Sequence, residues 1–203
     1  MAELQHVILA SGSQTRHEML KAAGLAFTVV PADIDEQAIR KALALENEAI
    51  DPANVAELLA RAKGEAVSKA NPGGLIIAAD QTLSLNGHLF SKPGDLDQAR
   101  ETLLRLRGEQ HFLHTAVAIA EHGDVTWTHV ELARLKLRNF SMAYLNDSLL
   151  RAGEGICQSV GAYQIEKLGL QLFEEINGDY FTILGLPMLP LLAELRRRGA
   201  LTD

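Results

Sequence analysis

The sequence predicts an α/β protein, and three observations support that class. Apolar runs with the spacing of strands alternate with amphipathic helical patterns along the chain. The 203 residues, of which 47% are hydrophobic, suffice for a sizeable core in one domain or in two closely packed lobes. No repeat, low-complexity tract or linker rich in Pro, Gly and Ser interrupts this alternation.

The N-terminal half contains start and stop signals for its elements. Asp51 is a suitable N-cap and Pro52 suits the first position of a helix, whereas Gly24 closes a shorter helix. Asn86-Gly87 is the strongest short signal for a hairpin. These signals predict strands over 4–10, 26–30 and 75–80, helices over 16–24 and 51–70, and a hairpin over 82–90.

The C-terminal half continues the alternation. Gly108 ends one helical pattern, Ser141 opens another, and a turn at His122-Gly123-Asp124 separates two long apolar runs. The predicted elements are a helix over 95–108, two strands within 114–138, a helix over 141–153, two strands joined by a turn at 177–179, and a last helix through 191–199.

Composition argues against several classes of protein. The formal net charge of -7 and an aromatic content of 5% disfavour a nucleic-acid surface, which needs a basic stripe with interleaved aromatic residues. The single Cys157 excludes an internal disulfide framework and a cysteine-rich metal site. No apolar run approaches the roughly 20 residues that span a bilayer, and no positively charged leader precedes the first strand. A cytosolic protein is therefore predicted.

The loop after the first predicted strand has the chemistry of an anion site. A strand that feeds a helix through small residues leaves backbone N–H groups exposed at the helix N-terminus. Ser11 and Ser13 add hydroxyl donors, and Arg16 adds a planar fork suited to phosphate. Plain helix capping is the alternative, since Thr15 and Glu18 fit a capping box.

Carboxylates after predicted strands form a second candidate site. Asp80 follows an uninterrupted apolar strand, and Asp35 and Glu36 follow another strand. Mg²⁺ takes oxygen ligands of this kind together with substrate phosphates. Solvated turns are the alternative for these acids, as solvated side chains are for Lys63 and Lys92.

The stretch VGAYQIEKLG, residues 160–169, is a third candidate. Gly161 permits a close approach of the backbone, Tyr163 offers a stacking face, and Gln164 and Glu166 can read the edge of a base. Alternation of small and polar residues is common in strands, so the pattern alone does not establish a base pocket.

Together these segments resemble the Maf family of nucleoside triphosphate pyrophosphatases. The resemblance runs from LASGSQTRHEML to GDYFTILGLPM and rests on the order and spacing of its motifs, which are S-x-S-x-x-R, DIDE, LARAK, AADQ, SKP, VGAYQIE and INGDYFTILGLP. It implies a single domain over 1–203 with a two-lobed α/β fold and a central cleft, related to inosine triphosphate pyrophosphatases. It also implies hydrolysis between the α and β phosphates to a nucleoside monophosphate and pyrophosphate.

The resemblance also implies roles for individual residues. Ser11, Ser13 and Arg16 would hold the triphosphate, with Thr15 beside them in the same loop. Glu36 and Asp80 would serve a divalent cation, Mg²⁺ or Mn²⁺, and the attacking water, with Asp80 as proton acceptor. The lysines expected to neutralise the phosphates are Lys63 and Lys92.

Departures from the commonest family pattern bear on the nucleobase. Gln81 stands where members that prefer dTTP and UTP usually have Thr, Thr15 replaces an Arg, and Gln164-Ile165-Glu166 replaces G-I-Q. Gln81 with Glu166 is similar to the branch that acts on 7-methyl-GTP, and a carboxylate accepts from the N1–H and 2-amino groups of guanine. A dTTP or UTP pyrophosphatase remains the alternative.

A nucleotide-binding regulator of septum formation with weak catalysis is the alternative from another class. The presence of Asp80, Glu36, Lys63 and Lys92 favours an enzyme, a nucleotide diphosphatase that acts on phosphorus-containing anhydrides. The expected partner is a nucleoside triphosphate, with neither nucleic acid nor membrane, and a homodimer is left open.

Overall fold

The computed structural model describes residues 6–46 and 51–202 and confirms the mixed α/β class. Within those residues, seven strands form a sheet in the order β2-β1-β3-β5-β6-β7, with β4 paired to β3. No helix of the described residues is long and apolar enough to cross a membrane. The strands are β1 (Val7–Leu9), β2 (Thr28–Val29), β3 (Leu75–Leu85), β4 (His88–Phe90), β5 (Gln110–Glu121), β6 (Asp124–Leu137) and β7 (Phe173–Asn177).

Helices connect most of these strands. The α-helices are α1 (Gln14–Ala22), α2 (Glu36–Glu46), α3 (Pro52–Ala70), α4 (Leu96–Leu106), α5 (Met142–Ala152), α6 (Tyr180–Ile183) and α7 (Met188–Arg197). Two 3₁₀ helices, Gly153–Gln158 and Leu168–Leu172, lie between α5 and β7. The predicted caps are confirmed at Asp51, whose Oδ1 accepts from the Ala53 N–H at 2.9 Å, and at Ser141.

The chain divides into two compact units. The first contains the described residues up to Gln81, together with 115–131 and the residues from Asp179 onward. The second contains 82–114 and 132–178. Strands β3, β5 and β6 contribute residues to both units.

The two faces of β3 carry different layers of the first unit. Ile76 and Ala78 belong to a buried cluster with Val67 of α3. Leu75, Ile77 and Ala79 belong to a second cluster that includes Leu20 of α1 and Leu195 of α7. Successive side chains of a strand point to opposite faces of the sheet. The residues of β3 after Ala79 therefore alternate between the face of the first cluster and the face of the second.

Helix α3 approaches the sheet closely at Gly64. A Cβ atom at this position would lie 3.3 Å from the Cβ of Ala120, which is tighter than most packing contacts, and 3.5 Å from the Cβ of Ala78, which is an ordinary contact. The absence of a side chain at Gly64 thus favours the close approach of α3 to the sheet beside Lys63.

The structure differs from the sequence prediction in three segments. Strand β3 does not end at Asp80 but continues to Leu85, and it is buried along nearly its whole length. Helix α2 was not predicted, because Asp35 and Glu36 were interpreted as carboxylates after a strand, whereas Asp35 Oδ1 accepts from the Ala38 N–H at 2.9 Å and caps the helix. The segment after Gly178 is a short helix, because Asp179 Oδ1 accepts from the Thr182 N–H at 2.9 Å and caps it.

The hairpin predictions are confirmed. Asn86 and Gly87 have φ angles of 51° and 79°, as a two-residue turn of type I′ requires, and they join antiparallel β3 and β4. His122 and Gly123 have φ angles of 54° and 89° and join β5 to β6.

In the second unit, Tyr163 is a core residue and not an open stacking face. Its hydroxyl lies 2.8 Å from His111 Nε2, and its ring meets Phe173 edge-on with 4.9 Å between centroids. A Cβ atom on Gly161 would lie 2.3 Å from the Tyr163 ring, so a glycine is needed beneath it. The segment around it forms turns.

The buried His111 predicts a pH-dependent stability. Burial lowers the pKa of His111 to about 4, below the value of about 6.5 for an unfolded chain. Between these values the unfolded state binds more protons, so stability falls as the pH drops from about 6.5 to 4, by up to about 3 kcal/mol from this residue. Urea unfolding followed by circular dichroism at pH 7, 6 and 5 measures the effect.

A His111→Gln variant is the control for this prediction. It removes the titrating imidazole, so its unfolding free energy should fall less steeply over the same pH range than that of the wild type. Parallel curves for the two proteins would show that His111 does not contribute to the acid sensitivity.

Candidate active site

A buried lysine joins two carboxylates from separate elements of the first unit. Lys63 Nζ lies 2.6 Å from Asp80 Oδ1 and 2.8 Å from Glu36 Oε1. Lys63 and Asp80 are 9% and 5% exposed, whereas the Glu36 side chain is 43% exposed. The structure therefore brings together three residues that the sequence had singled out separately.

Asp80 lies in the part of β3 that extends past its pairing with β1. Strand β1 pairs with β3 only as far as Leu9 opposite Ile77, and the Ala10 N–H donates to the Ile77 carbonyl at 2.8 Å. Asp80 thus lies beyond the last pair with β1, although β3 itself continues. It lies on the face of β3 that packs on α3, which is the helix that carries Lys63.

Arg40 joins this cluster and was missed by sequence reasoning. Its Nη2 lies 3.5 Å from Asp80 Oδ2, the oxygen that Lys63 does not contact. Arg40 follows Glu36 by four residues in α2, so both side chains lie on one face of the helix. The i, i+4 spacing of Glu36 and Arg40 was visible in the sequence. It places two residues on one face only in a helix, and no helix was predicted over this segment.

The capping-box reading of the first loop is wrong. Helix α1 begins at Gln14, and Ser13 is its N-cap, with Oγ accepting from the Arg16 N–H at 3.4 Å. Ser11 is buried, and its Oγ accepts from the Ser13 N–H at 3.3 Å. Thr15 lies half-buried in the first turn of the helix. The loop is ordered by its own serines, as is common at helix N-termini.

Arg16 links three segments of the first unit. Its Nε donates to the Gly185 carbonyl at 2.7 Å, and its Nη1 donates to the Ala79 carbonyl at 2.9 Å and to Ser11 Oγ at 3.1 Å. Burial lowers the pKa of Arg16, and the charges of nearby Asp80 and Glu36 oppose that shift. These contacts fasten the α1 loop to β3 and to the turn after α6.

The amide of Gln81 faces the opposite side of β3 from Asp80 and is held in one orientation. Its Nε2 lies 2.8 Å from Thr115 Oγ1, 3.0 Å from the Thr182 carbonyl and 3.2 Å from the Ile183 carbonyl. The Thr115 hydroxyl gives its proton to the Thr182 carbonyl at 2.9 Å, so it accepts from Gln81. Only the carbonyl oxygen of Gln81 remains for another group.

A carboxylate extends this network. The hydroxyl of the fully buried Thr182 donates to Glu131 Oε2, and Glu131 Oε1 lies 3.1 Å from His129 Nε2. Neither Thr182 nor Glu131 was a sequence candidate: Thr182 lies within the motif INGDYFTILGLP, but the motif does not show what its side chain contacts, and Glu131 lies in no motif. Their bond fixes α6 against β6, and the Thr182 carbonyl contacts Gln81 of β3.

Lys92 and Glu166 belong to the second unit, where both are exposed. Lys92 lines a cavity of about 400 Å³ together with Phe90, Ser91, Gln98 and Arg105. The Arg105 guanidinium stands 4.1 Å from the centre of the Phe90 ring. The roles expected for Lys92 and Glu166 stay predictions.

Glu36 and Asp80 fit a cation of the magnesium type. Among the described residues, no three His, Cys, Asp or Glu side chains are grouped closely enough to hold a metal by themselves. Mg²⁺ needs only one or two protein carboxylates when it takes its other ligands from water and substrate phosphates. The donor set thus suits a cation that arrives with a phosphorylated substrate.

The contacts of Arg16 predict a structural role that can be measured. Arg16→Ala leaves the Gly185 and Ala79 carbonyls without their charged donor and should lower the free energy of unfolding by about 2–4 kcal/mol. Arg16→Lys should recover little of that loss, because an ammonium cannot reach both carbonyls with fork geometry. Urea unfolding of both variants measures the change.

Lys21→Ala in the same helix is the matched control, since Lys21 is exposed and its loss should cost no more than about 0.5 kcal/mol. Stability equal to that of the control in both Arg16 variants would rule out the linking role.

Comparison with known proteins places the chain in a family. Residues 6–198 match the family model for Maf-like proteins. The chain is 47% identical over 197 residues to a 7-methyl-GTP pyrophosphatase from Mesorhizobium japonicum, covering 97% of this chain and 98% of the relative. It is 49% identical over 199 residues to a nucleoside triphosphate pyrophosphatase from Caulobacter vibrioides, covering 98% of each chain.

Among solved structures, that of a HAM1 protein from Coxiella burnetii is similar over 66% of this chain and 74% of that chain, with a TM-score of 0.43 and 16% identity. The family model spans nearly all of the described residues, and both relatives align over almost their whole length. The resemblance inferred from the motifs is thereby confirmed, and the chain belongs to the Maf family.

Proposed function

We propose that this protein is a nucleoside triphosphate pyrophosphatase that releases pyrophosphate and leaves the nucleoside monophosphate. The observation that carries the proposal is the bridge of Lys63 between Glu36 and Asp80. Paired carboxylates beside a buried cation supply a proton acceptor and a partner for phosphate charge in one place. The names of the relatives from M. japonicum and C. vibrioides, a 7-methyl-GTP pyrophosphatase and a nucleoside triphosphate pyrophosphatase, support the same reaction.

In this proposal Asp80 accepts the proton of the attacking water. The water oxygen forms a bond to the α-phosphorus, the α–β bridging bond breaks, and the bridging oxygen leaves with its electron pair on pyrophosphate. Lys63 offsets the negative charge that grows on the phosphate oxygens, and the N-terminus of α1 with Ser11 and Ser13 offers donors to them.

Glu36 and Asp80 are the residues proposed to hold a divalent cation, Mg²⁺ or Mn²⁺. When bound there, the cation would neutralise phosphate charge and lower the pKa of water. The 43% exposure of the Glu36 side chain leaves that carboxylate accessible from solvent.

We propose 7-methyl-GTP or a related guanine nucleotide as the substrate. Two observations support this choice: the name of the M. japonicum relative, and the fixed amide of Gln81, which offers only an acceptor. Guanine presents N–H donors on its Watson–Crick edge. Glu166, an exposed carboxylate of the second unit, is proposed on its chemistry alone as an acceptor for such donors. Lys92 is proposed as a further phosphate ligand, and a cytosolic location remains part of the proposal.

The first test replaces the proposed base. Asp80→Asn should lower kcat by about 10²–10⁴-fold, because an amide cannot accept the proton of water. Lys63 keeps Glu36 as a partner, so the variant is expected to fold. Pyrophosphate release from 7-methyl-GTP, with circular dichroism as the folding check, measures both quantities.

Asp124→Asn is the control for that test, since Asp124 is an exposed residue of the same unit. A well-folded Asp80→Asn protein that keeps more than about a tenth of the wild-type kcat would remove Asp80 from the base role. A wild type that binds nucleotides without turnover would favour the regulatory alternative.

The second test addresses the nucleobase. The kcat/KM for 7-methyl-GTP should exceed the values for dTTP and UTP, since sites that hydrogen-bond a substrate discriminate strongly against mismatched partners. Glu166→Gln should reduce this ratio more than it reduces the rate on the pyrimidine nucleotides. Equal or higher kcat/KM for dTTP and UTP in the wild type would contradict the guanine assignment but not the reaction.

A further inference from the structure

Arg40 has the properties of a substrate ligand, but in this structure it contacts Asp80. Its only side-chain hydrogen bond or ion pair among the described residues is with Asp80 Oδ2 at 3.5 Å, at the outer limit of a hydrogen bond. The Arg40 side chain is 29% exposed, whereas the Asp80 side chain is 8% exposed. A guanidinium carries five N–H donors, so this one long contact uses little of its capacity.

The other arginine of the cluster is committed to the protein backbone. Arg16 donates to two carbonyls and to Ser11 at 2.7–3.1 Å and is half-buried among them. Arg40 makes no comparable contact with the backbone among the described residues. Of these two arginines, Arg40 is therefore the one free to reorient toward a ligand.

The charges of the cluster already favour the positive side. Glu36 and Asp80 contribute two negative charges, whereas Lys63, Arg40 and the nearby Arg16 contribute three positive charges. A divalent cation added to this set would leave an excess of three positive charges in a partly buried place, which is unfavourable. A triphosphate removes that excess because it brings several negative charges of its own.

We infer that Arg40 exchanges partners when substrate binds, leaving Asp80 Oδ2 and donating to the phosphates. This inference rests on the proposed function. In the absence of substrate, Arg40 competes with a metal ion for Asp80. With substrate present, its guanidinium donates to the triphosphate and Asp80 Oδ2 becomes accessible. Metal ion and nucleotide consequently bind better together than either does alone.

Arg40→Gln tests both halves of the exchange without any turnover. Binding of Mn²⁺ alone, followed by electron paramagnetic resonance, should tighten by at least about fivefold, because a positive charge beside Asp80 is lost. Binding of α,β-methylene-GTP in Mg²⁺, followed by calorimetry, should weaken about tenfold, because charged hydrogen bonds to phosphate are lost.

Lys41→Gln is the matched control. Lys41 is the next residue of α2 and is exposed, so this variant removes the same charge from the same helix without touching Asp80. Both of its affinities should stay within about twofold of the wild type. Circular dichroism and thermal melting show whether each variant is folded.

The two arms separate this inference from the proposed function. If Arg40→Gln matches Lys41→Gln in either arm, the exchange is wrong even when the wild type hydrolyses nucleotides. If both arms change as expected while the wild type releases no pyrophosphate, the exchange stands and the pyrophosphatase proposal fails.

Discussion

The buried ammonium of Lys63 is the interaction on which the candidate site depends. A charged lysine at 9% exposure is tolerable only with close partners, and Asp80 and Glu36 supply them at 2.6 and 2.8 Å. This requirement ties α3, β3 and the first residue of α2 to one point. Removing one partner of a buried pair is costly because it leaves the other charge uncompensated, so the cluster holds its own geometry.

The close approach of α3 to the sheet is what makes that bridge reachable. Gly64 lets the helix backbone lie against Ala78 and Ala120, and Lys63 is the adjacent residue in the same turn of the helix. The small residues at this contact therefore help to position Lys63 as well as to pack the helix. The site is thus built from regular elements, which position side chains more accurately than loops do.

The sequence predicts those parts of the fold that depend on local patterns. The Asn86-Gly87 turn and the Asp51 cap are set by neighbouring residues, and both are confirmed. The roles of Arg40 and Thr182 depend on contacts with residues distant in sequence, so no local pattern marks them. The end of β3 was misplaced because Asp80 looks like a strand terminus locally, whereas its burial depends on α3.

The locked amide of Gln81 constrains how this family can diversify. Asp80 and Gln81 are neighbours in sequence but face different layers of the first unit. A substitution at one position therefore need not change the contacts of the other. Replacing Gln81 alone would deprive the Thr182 and Ile183 carbonyls of a shared donor. A change of residue at position 81 is therefore expected to coincide with a change at Thr115, whose hydroxyl accepts from Gln81.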